Sequence, residues 1–558
     1  MANELRPRCP KCDKLMMRGV DTRGKKRWVC RTAGVHCYST VGDPNVVKKQ
    51  DGSTTRKGPP PKFKRSLDSK IFVVTAAQNA TPIHEAFWAS LLQYCKFRGA
   101  ELMVIPIRYK NATSRWTESQ ANAEWWLDRP DLPYEVAVAA GTTKQGETEE
   151  AYYARVYPNR KYLWNVRKDL NKNITVLGDI KVQPTAVSPL TGFEGITHGE
   201  SGIFGHTKLQ LKVVATPQGK YPKILTTTGA CTVKNYTDTR AGKLGEFHHA
   251  LAAVVVEVDG PRFHLRQINA KSDGTFYDLD YLYDGTKRNP TNYIGSGGNT
   301  PALVMGDTHV EGIDPSVERA TFQDIVPFFR PKKLFWHDLE DGGSVNHWAA
   351  KNPFVTAARH YSSAGSASEE FYSALKFVKD RTPDGATSYI VASNHNDWLH
   401  RWILDRDWKT LSPKDRGFYL QVASKLYEQS KLLTGDEAER LNAFILLAKE
   451  HFAGDPSVSV LEYEQSALVE GIECGMHGHY GSNGSRGGLK SFRRIGVKSI
   501  TGHEHTPGIE EGAYRVGTST LLSRGYTHGP SSWLNTHCVI YPNGKRTLIN
   551  VIDGKWRL

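Results

Sequence analysis

The sequence predicts a mixed α/β protein preceded by a small cysteine-bearing module, and three observations carry that prediction. Residues 70–107 read as strand, helix and strand, the opening of a βαβ unit. Between residues 301 and 507, short apolar runs bounded by turn residues end in loops rich in Asp, His and Asn. Strands that end this way place their ligands along one edge of a sheet. Third, Cys9, Cys12, Cys30 and Cys37 are four of only eight cysteines and sit in a strongly basic N-terminal arm.

A chain of 558 residues is expected to hold roughly three domains. Its 39% hydrophobic content and mean hydropathy of -0.49 describe a soluble globular protein. No apolar run approaches a membrane span, and Met1 to Lys14 has no signal-peptide core, so no membrane partner is expected. Cys95, Cys231, Cys474 and Cys538 are scattered, which excludes a disulfide scaffold and fits a reduced, cytoplasmic protein. The net charge of +15 is uneven: residues 1–65 hold 17 Lys and Arg against 5 Asp and Glu. A basic arm on a nearly neutral body points to a polyanionic partner, of which nucleic acid is the commonest.

Taken in order, residues 1–41 read as a zinc ribbon. Cys9-Pro10-Lys11-Cys12 is a first knuckle, Lys25 to Val29 a β-like stretch, and Cys30 with Cys37 the second pair. Thiolates suit one structural tetrahedral zinc, and so small a module needs the metal to fold. The second pair is spaced by six residues, wider than usual, which leaves His36 as an alternative ligand to Cys37. Residues 42–66, with Gly58-Pro59-Pro60-Pro61 and many lysines, are expected to be an extended basic linker.

Residues 67–295 read as an α/β domain of no assigned role. Strands are expected at Lys70 to Thr75, Leu102 to Ile107, Ile174 to Leu177, Leu209 to Ala215, Ile224 to Thr228, Ala250 to Val258 and Phe263 to Ile268, with a helix from His84 to Gly99. His198, Ser201, His206, His248 and His249 form no ordered constellation and read as structural or substrate-contacting positions. Residues 296–558 carry the apolar runs Ala302 to Met305, Leu334 to Trp336, Tyr389 to Ala392 and Val497 to Ile500. Helices are expected from Ser368 to Lys379, from Ser412-Pro413 to about Leu433 and from Asp436 to Phe452, the last two as an inserted helical hairpin over about 411–453. Cys538 to Tyr541 and Leu548 to Ile552, joined by Pro542-Asn543-Gly544-Lys545, read as a β-hairpin.

The loops between carry hard and borderline metal ligands in a definite order: Asp307-Thr308-His309, His337-Asp338, Asn394-His395-Asn396-Asp397, His477-Gly478-His479 and His503-Glu504-His505. Asp-x-His, then Asp, Asn-His, a lone His and His-x-His resembles the calcineurin-like metallophosphoesterase family, including its nuclease branch. The resemblance implies a β-sandwich flanked by helices, built around two divalent ions. It implies that Asp338 bridges the ions, that Asp307, His309 and His505 complete one site, and that Asn394, His477 and His503 complete the other. His395 would be the catalytic general acid. His479 and Arg486 are expected to touch substrate, with Asp397 beside them as a candidate acidic partner of His395. The donor set itself suits manganese, iron, zinc or magnesium; the nuclease branch favours manganese, with magnesium the other choice.

Two departures mark a divergent branch. His337 stands where the family has Gly before the bridging Asp, and Ser393 replaces the Gly before Asn394, with Asn396 intervening before Asp397. Asp341 follows the bridging motif at the spacing of a supporting acid. The expected function is a metal-dependent phosphodiesterase, a DNA nuclease that forms a homo-oligomer as related nucleases do. The competing expectations are a DNA-binding host-shutoff protein with a non-catalytic metal site, and a nucleotidase or phosphatase of the same family.

Overall fold

The computed structural model describes residues 70–108, 126–128, 134–217, 222–345, 352–361, 366–525 and 527–558, preceded by the backbone of five short strands. The chain divides into two compact units, Met1–Leu67 and Asp68–Leu558. In the first, Met17–Val20, Lys26–Val29 and Thr40–Val41 form an antiparallel three-stranded sheet, and Val46–Lys48 pairs with Thr54–Arg56 inside the stretch expected to be linker. Cys9, Cys12, Cys30 and Cys37, and with them the expected zinc site, lie outside the described residues.

The second unit is mixed α/β, as expected, and is built on three main sheets. The βαβ opening is present. Ile71–Gln78 and Glu101–Ile107 are parallel and are joined by the helix Glu85–Arg98, which His84 caps and Gly99 ends with φ 61°. Ala252–Asp259 and Arg262–Asn269 extend this sheet antiparallel to four strands. A buried charge cluster braces it: Arg266 lies between Glu257 at 2.7 Å and Asp278 at 2.9 Å.

The second sheet has six strands in the order Val458–Val460, Thr387–Ile390, Lys333–Trp336, Ala302–Val304, Thr536–Ile540, Arg546–Asn550. The first four are parallel, and the last two are the hairpin expected at the C-terminus. Side chains alternate between its faces, as a period of two requires. Leu303, Leu334, Trp336, Ile390, Val539 and Ile549 pack against helices. Ala302, Val304, Phe335, Cys538, Ile540 and Leu548 face a core shared with the other sheets.

The third sheet has ten strands and runs across the division expected at residue 295. Gln210–Val214 pairs antiparallel with Gly508–Glu510, so strands from 167–227 and from 468–515 make one surface. Ile472, Ile500, Ile509, Tyr514, Leu211 and Ile203 meet the six-stranded sheet in the shared core.

Helices cover the outer face of the six-stranded sheet. Ala367–Arg381 starts one residue earlier than expected at Ser368, because Ser366 and Glu369 form a reciprocal capping box. Pro413–Ser430 has Ser412 as its cap, as expected. The single helix expected over Asp436 to Phe452 is two, Gly435–Ala438 and Ala443–His451. Asn442 accepts from the Ile445 N–H and starts the second. Among the described residues no helix is long and apolar enough to cross a membrane.

Candidate metal centre

The ligand-bearing loops come together because parallel strands end on one side. Asp307 and His309 follow Ala302–Val304, Asp338 follows Lys333–Trp336, and Asn394 and His395 follow Thr387–Ile390. From the ten-stranded sheet, His477 follows Ile472–Glu473 and His503 and His505 follow Lys498–Thr501, a parallel pair. The site therefore sits at the carboxyl ends of both sheets, where open α/β sheets keep their ligands.

Two clusters of ligand atoms share Asp338: Asp307, His309, Asp338 and His505 in one, Asp338, His477 and His503 in the other. In the first, His309 Nε2 is 3.0 Å from His505 Nε2 and 3.8 Å from Asp338 Oδ2, and His505 Nε2 is 3.2 Å from Asp307 Oδ2. In the second, His477 Nε2 is 3.1 Å from Asp338 Oδ2, while Asn394 Oδ1 is 3.0 Å from His477 Nε2 and 2.9 Å from His503 Nδ1. All seven residues expected to be metal ligands thus converge on Asp338. Asp307, His309, Asp338, His477 and His505 are buried, Asp307 and His309 fully so.

The loops are held in conformations that side chains seldom adopt. His309, Asp338, His503 and His505 have φ of 43°, 39°, 81° and 55°. Such strain gathers at functional sites. Main-chain bonds enforce it: the His309 N–H donates to the Asp338 carbonyl at 2.7 Å, and the Gly502 N–H to the His477 carbonyl at 2.7 Å. The His503 N–H donates to Asp307 Oδ2 at 2.8 Å and the His395 N–H to Asp338 Oδ1 at 3.2 Å.

The donor set fits a cation. Asp307 Oδ1 is buried and accepts no hydrogen bond, and Asp338 Oδ2 is buried with only His477 Nε2 beside it at 3.1 Å. Buried carboxylate oxygens short of donors are costly, and a metal ion relieves the cost. Burial pushes His309 down to about 3, with His395 and His505 adding to the effect, and holds His503 down to about 4. Both are neutral near pH 7, the state in which imidazole ligates. His477 moves the other way: burial lowers it, but the Asp338 carboxylate outweighs that and raises it. The opposite sense holds for Asp338, where His477 and then His395 overcome burial and keep it well below the usual carboxylate range. These buried His/Asp clusters could hold a metal ion.

His395 stands at the edge of the centre. Its ring meets His309 edge-on at 4.4 Å, and Nδ1 has no hydrogen-bond partner. The carboxylate near it is Asp341, which clusters with His309 and His395, and Arg524 pairs with Asp341. Asp397 turns away into the protein. The helix Trp398–Asp405 begins at the next residue, and Asp397 Oδ1 accepts from Asn442 Nδ2 at 2.5 Å. His479 lies beside the second cluster, its ring 5.3 Å from that of His477, and Arg486 is on the exposed loop that follows.

Three neighbours carry no signal in motif spacing. Arg524 and Trp533, whose ring is 4.2 Å from that of His505, come from the segment after the last motif. His337 is fully buried, with Nδ1 3.4 Å from His477 Nδ1; only its presence in place of Gly marked it in the sequence.

No family model matches the chain, and no solved structure matches it. Over 502 residues it is 30% identical to Protein A1 of Escherichia phage T5, a match that covers 87% of this chain and 83% of that protein. The chain belongs to the Protein A1 family. That relationship supports a bacteriophage origin. A match of this extent is longer than either half of the chain, so the Protein A1 similarity takes in most of the half that carries the ligand loops.

Proposed function

We propose that this Protein A1 relative is a two-metal phosphodiesterase that cleaves DNA, a nuclease of the calcineurin-like metallophosphoesterase type. The observation that carries the reading is the position of Asp338. One buried carboxylate is common to two ligand clusters, and the clusters are filled in the order in which that family places its motifs. Bound there, two divalent ions would stabilise charge on the phosphoryl oxygens and supply the nucleophile for in-line displacement.

The chain's own residues do the rest. Asp307, His309 and His505 would hold one ion, Asn394, His477 and His503 the other, and Asp338 both. His395, fixed by its main-chain bond to Asp338 and set against His309, is placed to protonate the leaving oxygen. Asp341, itself paired with Arg524, supports the His309 and His395 side of the site. The basic arm of residues 1–65 supplies attraction for a polyanion, which a small-molecule phosphatase has no need of.

The test is incubation of the full chain with plasmid, linear duplex and single-stranded DNA, each with manganese, with magnesium and with chelator. Metal-dependent shortening or nicking, abolished in Asp338→Ala, is the expected result. DNA binding and metal binding without cleavage of any substrate would refute the nuclease reading in favour of a non-catalytic DNA-binding protein.

A further inference from the structure

The loop after His477 does more than close the second cluster. Gly478, at φ 118°, turns the chain outward, Tyr480 and Arg486 pair across an antiparallel bridge, and the Gly481 N–H donates to the Ser485 carbonyl at 2.6 Å. The Gly487 N–H closes the base onto the His479 carbonyl at 2.9 Å, and a Cβ at Gly487 would come within 1.9 Å of the Gly478 carbonyl oxygen. Residues 478–488 therefore form a small self-braced hairpin whose tip, residues 482–486, is exposed.

Residues directly opposite each other in an antiparallel pair project from the same face. Tyr480 and Arg486 are such a pair. Tyr480 is 50% exposed, although its ring lies 4.1 Å from that of His479 and 5.7 Å from that of Tyr463. Arg486 is exposed and has no ion-pair partner among the described residues. Behind Tyr480, His479 is half-buried, both its ring nitrogens are shielded and lack partners, and the ring abuts those of His477 and His503 at 5.3 and 5.9 Å. A line of flat rings thus runs from the metal cluster out to an exposed tyrosine, with an unpaired guanidinium beside it.

We infer that this hairpin is a nucleobase-stacking finger: Tyr480 takes the base next to the scissile phosphate and Arg486 contacts a neighbouring phosphate. An exposed ring with an adjacent cation is the recognition chemistry of unpaired nucleotides, because a base inside a duplex offers no free face. The strand therefore reaches the metal centre single-stranded, frayed or flipped. The inference deepens the phosphodiesterase reading and rests on it.

The experiment compares Tyr480→Ala, Tyr480→Phe and Arg486→Ala with the parent, all as full chains with manganese. Substrates are a single-stranded oligothymidylate, the same strand with abasic positions, and bis-p-nitrophenyl phosphate. Tyr480→Ala should raise KM for the oligothymidylate by roughly ten- to a hundredfold, the worth of one stacked base. Tyr480→Phe should restore it, and the abasic strand should behave on the parent as the normal strand does on Tyr480→Ala. The ratio of oligothymidylate to bis-p-nitrophenyl phosphate turnover should fall in Tyr480→Ala. An unchanged KM and ratio in Tyr480→Ala would overturn the inference. Should the parent cleave neither substrate, the phosphodiesterase reading fails by itself. Fluorescence anisotropy of labelled oligothymidylate then decides the finger: weaker binding by Tyr480→Ala and Arg486→Ala supports it, and equal binding overturns it.

Discussion

Gly502→Ala tests the site with a single methyl group. A Cβ at Gly502 would stand 2.1 Å from Asp307 Oδ1 and 3.2 Å from the His337 Cβ. Ordinary contact begins near 3.4 Å, so the Asp307 carboxylate must retreat by about 1.3 Å. Gly502 does not have positive φ, so the effect is one of space rather than backbone strain. Retreat pulls Asp307 Oδ2 from the His503 N–H and from His505 Nε2, now at 2.8 and 3.2 Å. Overpacking of this kind costs about 1–3 kcal/mol of stability, and a misplacement near 1 Å costs about a hundredfold in rate. Gly512→Ala is the control, because its nearest neighbour would be the Lys498 side chain at an unstrained 3.6 Å. Isothermal titration with manganese, thermal unfolding and DNA cleavage should show Gly502→Ala weakened in all three and Gly512→Ala near the parent. A Gly502→Ala protein with parental metal affinity and activity would refute the placement of Asp307 as a ligand.

Four further outcomes follow from the same geometry. Asp338→Ala should lose both ions and His309→Ala mainly one, measured by elemental analysis after dialysis; two retained ions in Asp338→Ala would end the shared-ligand assignment. His337→Leu leaves the His477 Nδ1 side without its neighbour and should weaken metal binding about 10- to 100-fold; titration calorimetry showing parental affinity would make His337 mere packing. Deleting residues 1–65 should lower DNA affinity and flatten its dependence on salt, because fewer counterions are released; equal slopes in a salt titration would show that the arm does not touch DNA. Far from the site, burial opposes ionisation of Glu257, but Arg266 outweighs it and holds the carboxyl down to about 2 from an ordinary 4.5. A depressed carboxylate stabilises above its unfolded value, so about 3 kcal/mol should be lost as pH falls from about 4.5 to about 2. Urea midpoints of Glu257→Gln should drop less across that window than those of the parent.

Four of the five ligand loops were legible because each follows a short apolar run, and strand ends are where a sheet exposes polar side chains. Sheet partnership was not legible. Nothing local in Gln210–Val214 announces Gly508–Glu510 as its neighbour, and that pairing merges two regions that composition and motif density separate. Sequence adjacency also misleads about contacts. Asp397 is two residues from His395 but leads into a helix and meets Asn442, whereas Asp341, far away in sequence, clusters with His395. The break at Asn442 was readable in principle, since Asn before an apolar run is a helix start.

The strained loops join the fold to the chemistry. Four of the residues gathered around Asp338, including Asp338 itself, hold left-handed backbones, each at a cost of about 1–3 kcal/mol. None of the four is glycine, although glycine would adopt the conformation freely. Their side chains must therefore be worth more than the strain, and His309, Asp338 and His505, being buried, gain little from water. A buried Asp307 oxygen without a hydrogen bond and imidazoles held neutral by burial would make the arrangement without a cation poorer still. A cation at Asp338 reverses each of these penalties at once: it compensates the carboxylates, uses the lone pairs and requires the tight turns that bring them together. On this argument metal removal should loosen the turns at residues 307–309 and 502–505 first, seen as faster amide exchange there than in the shared core.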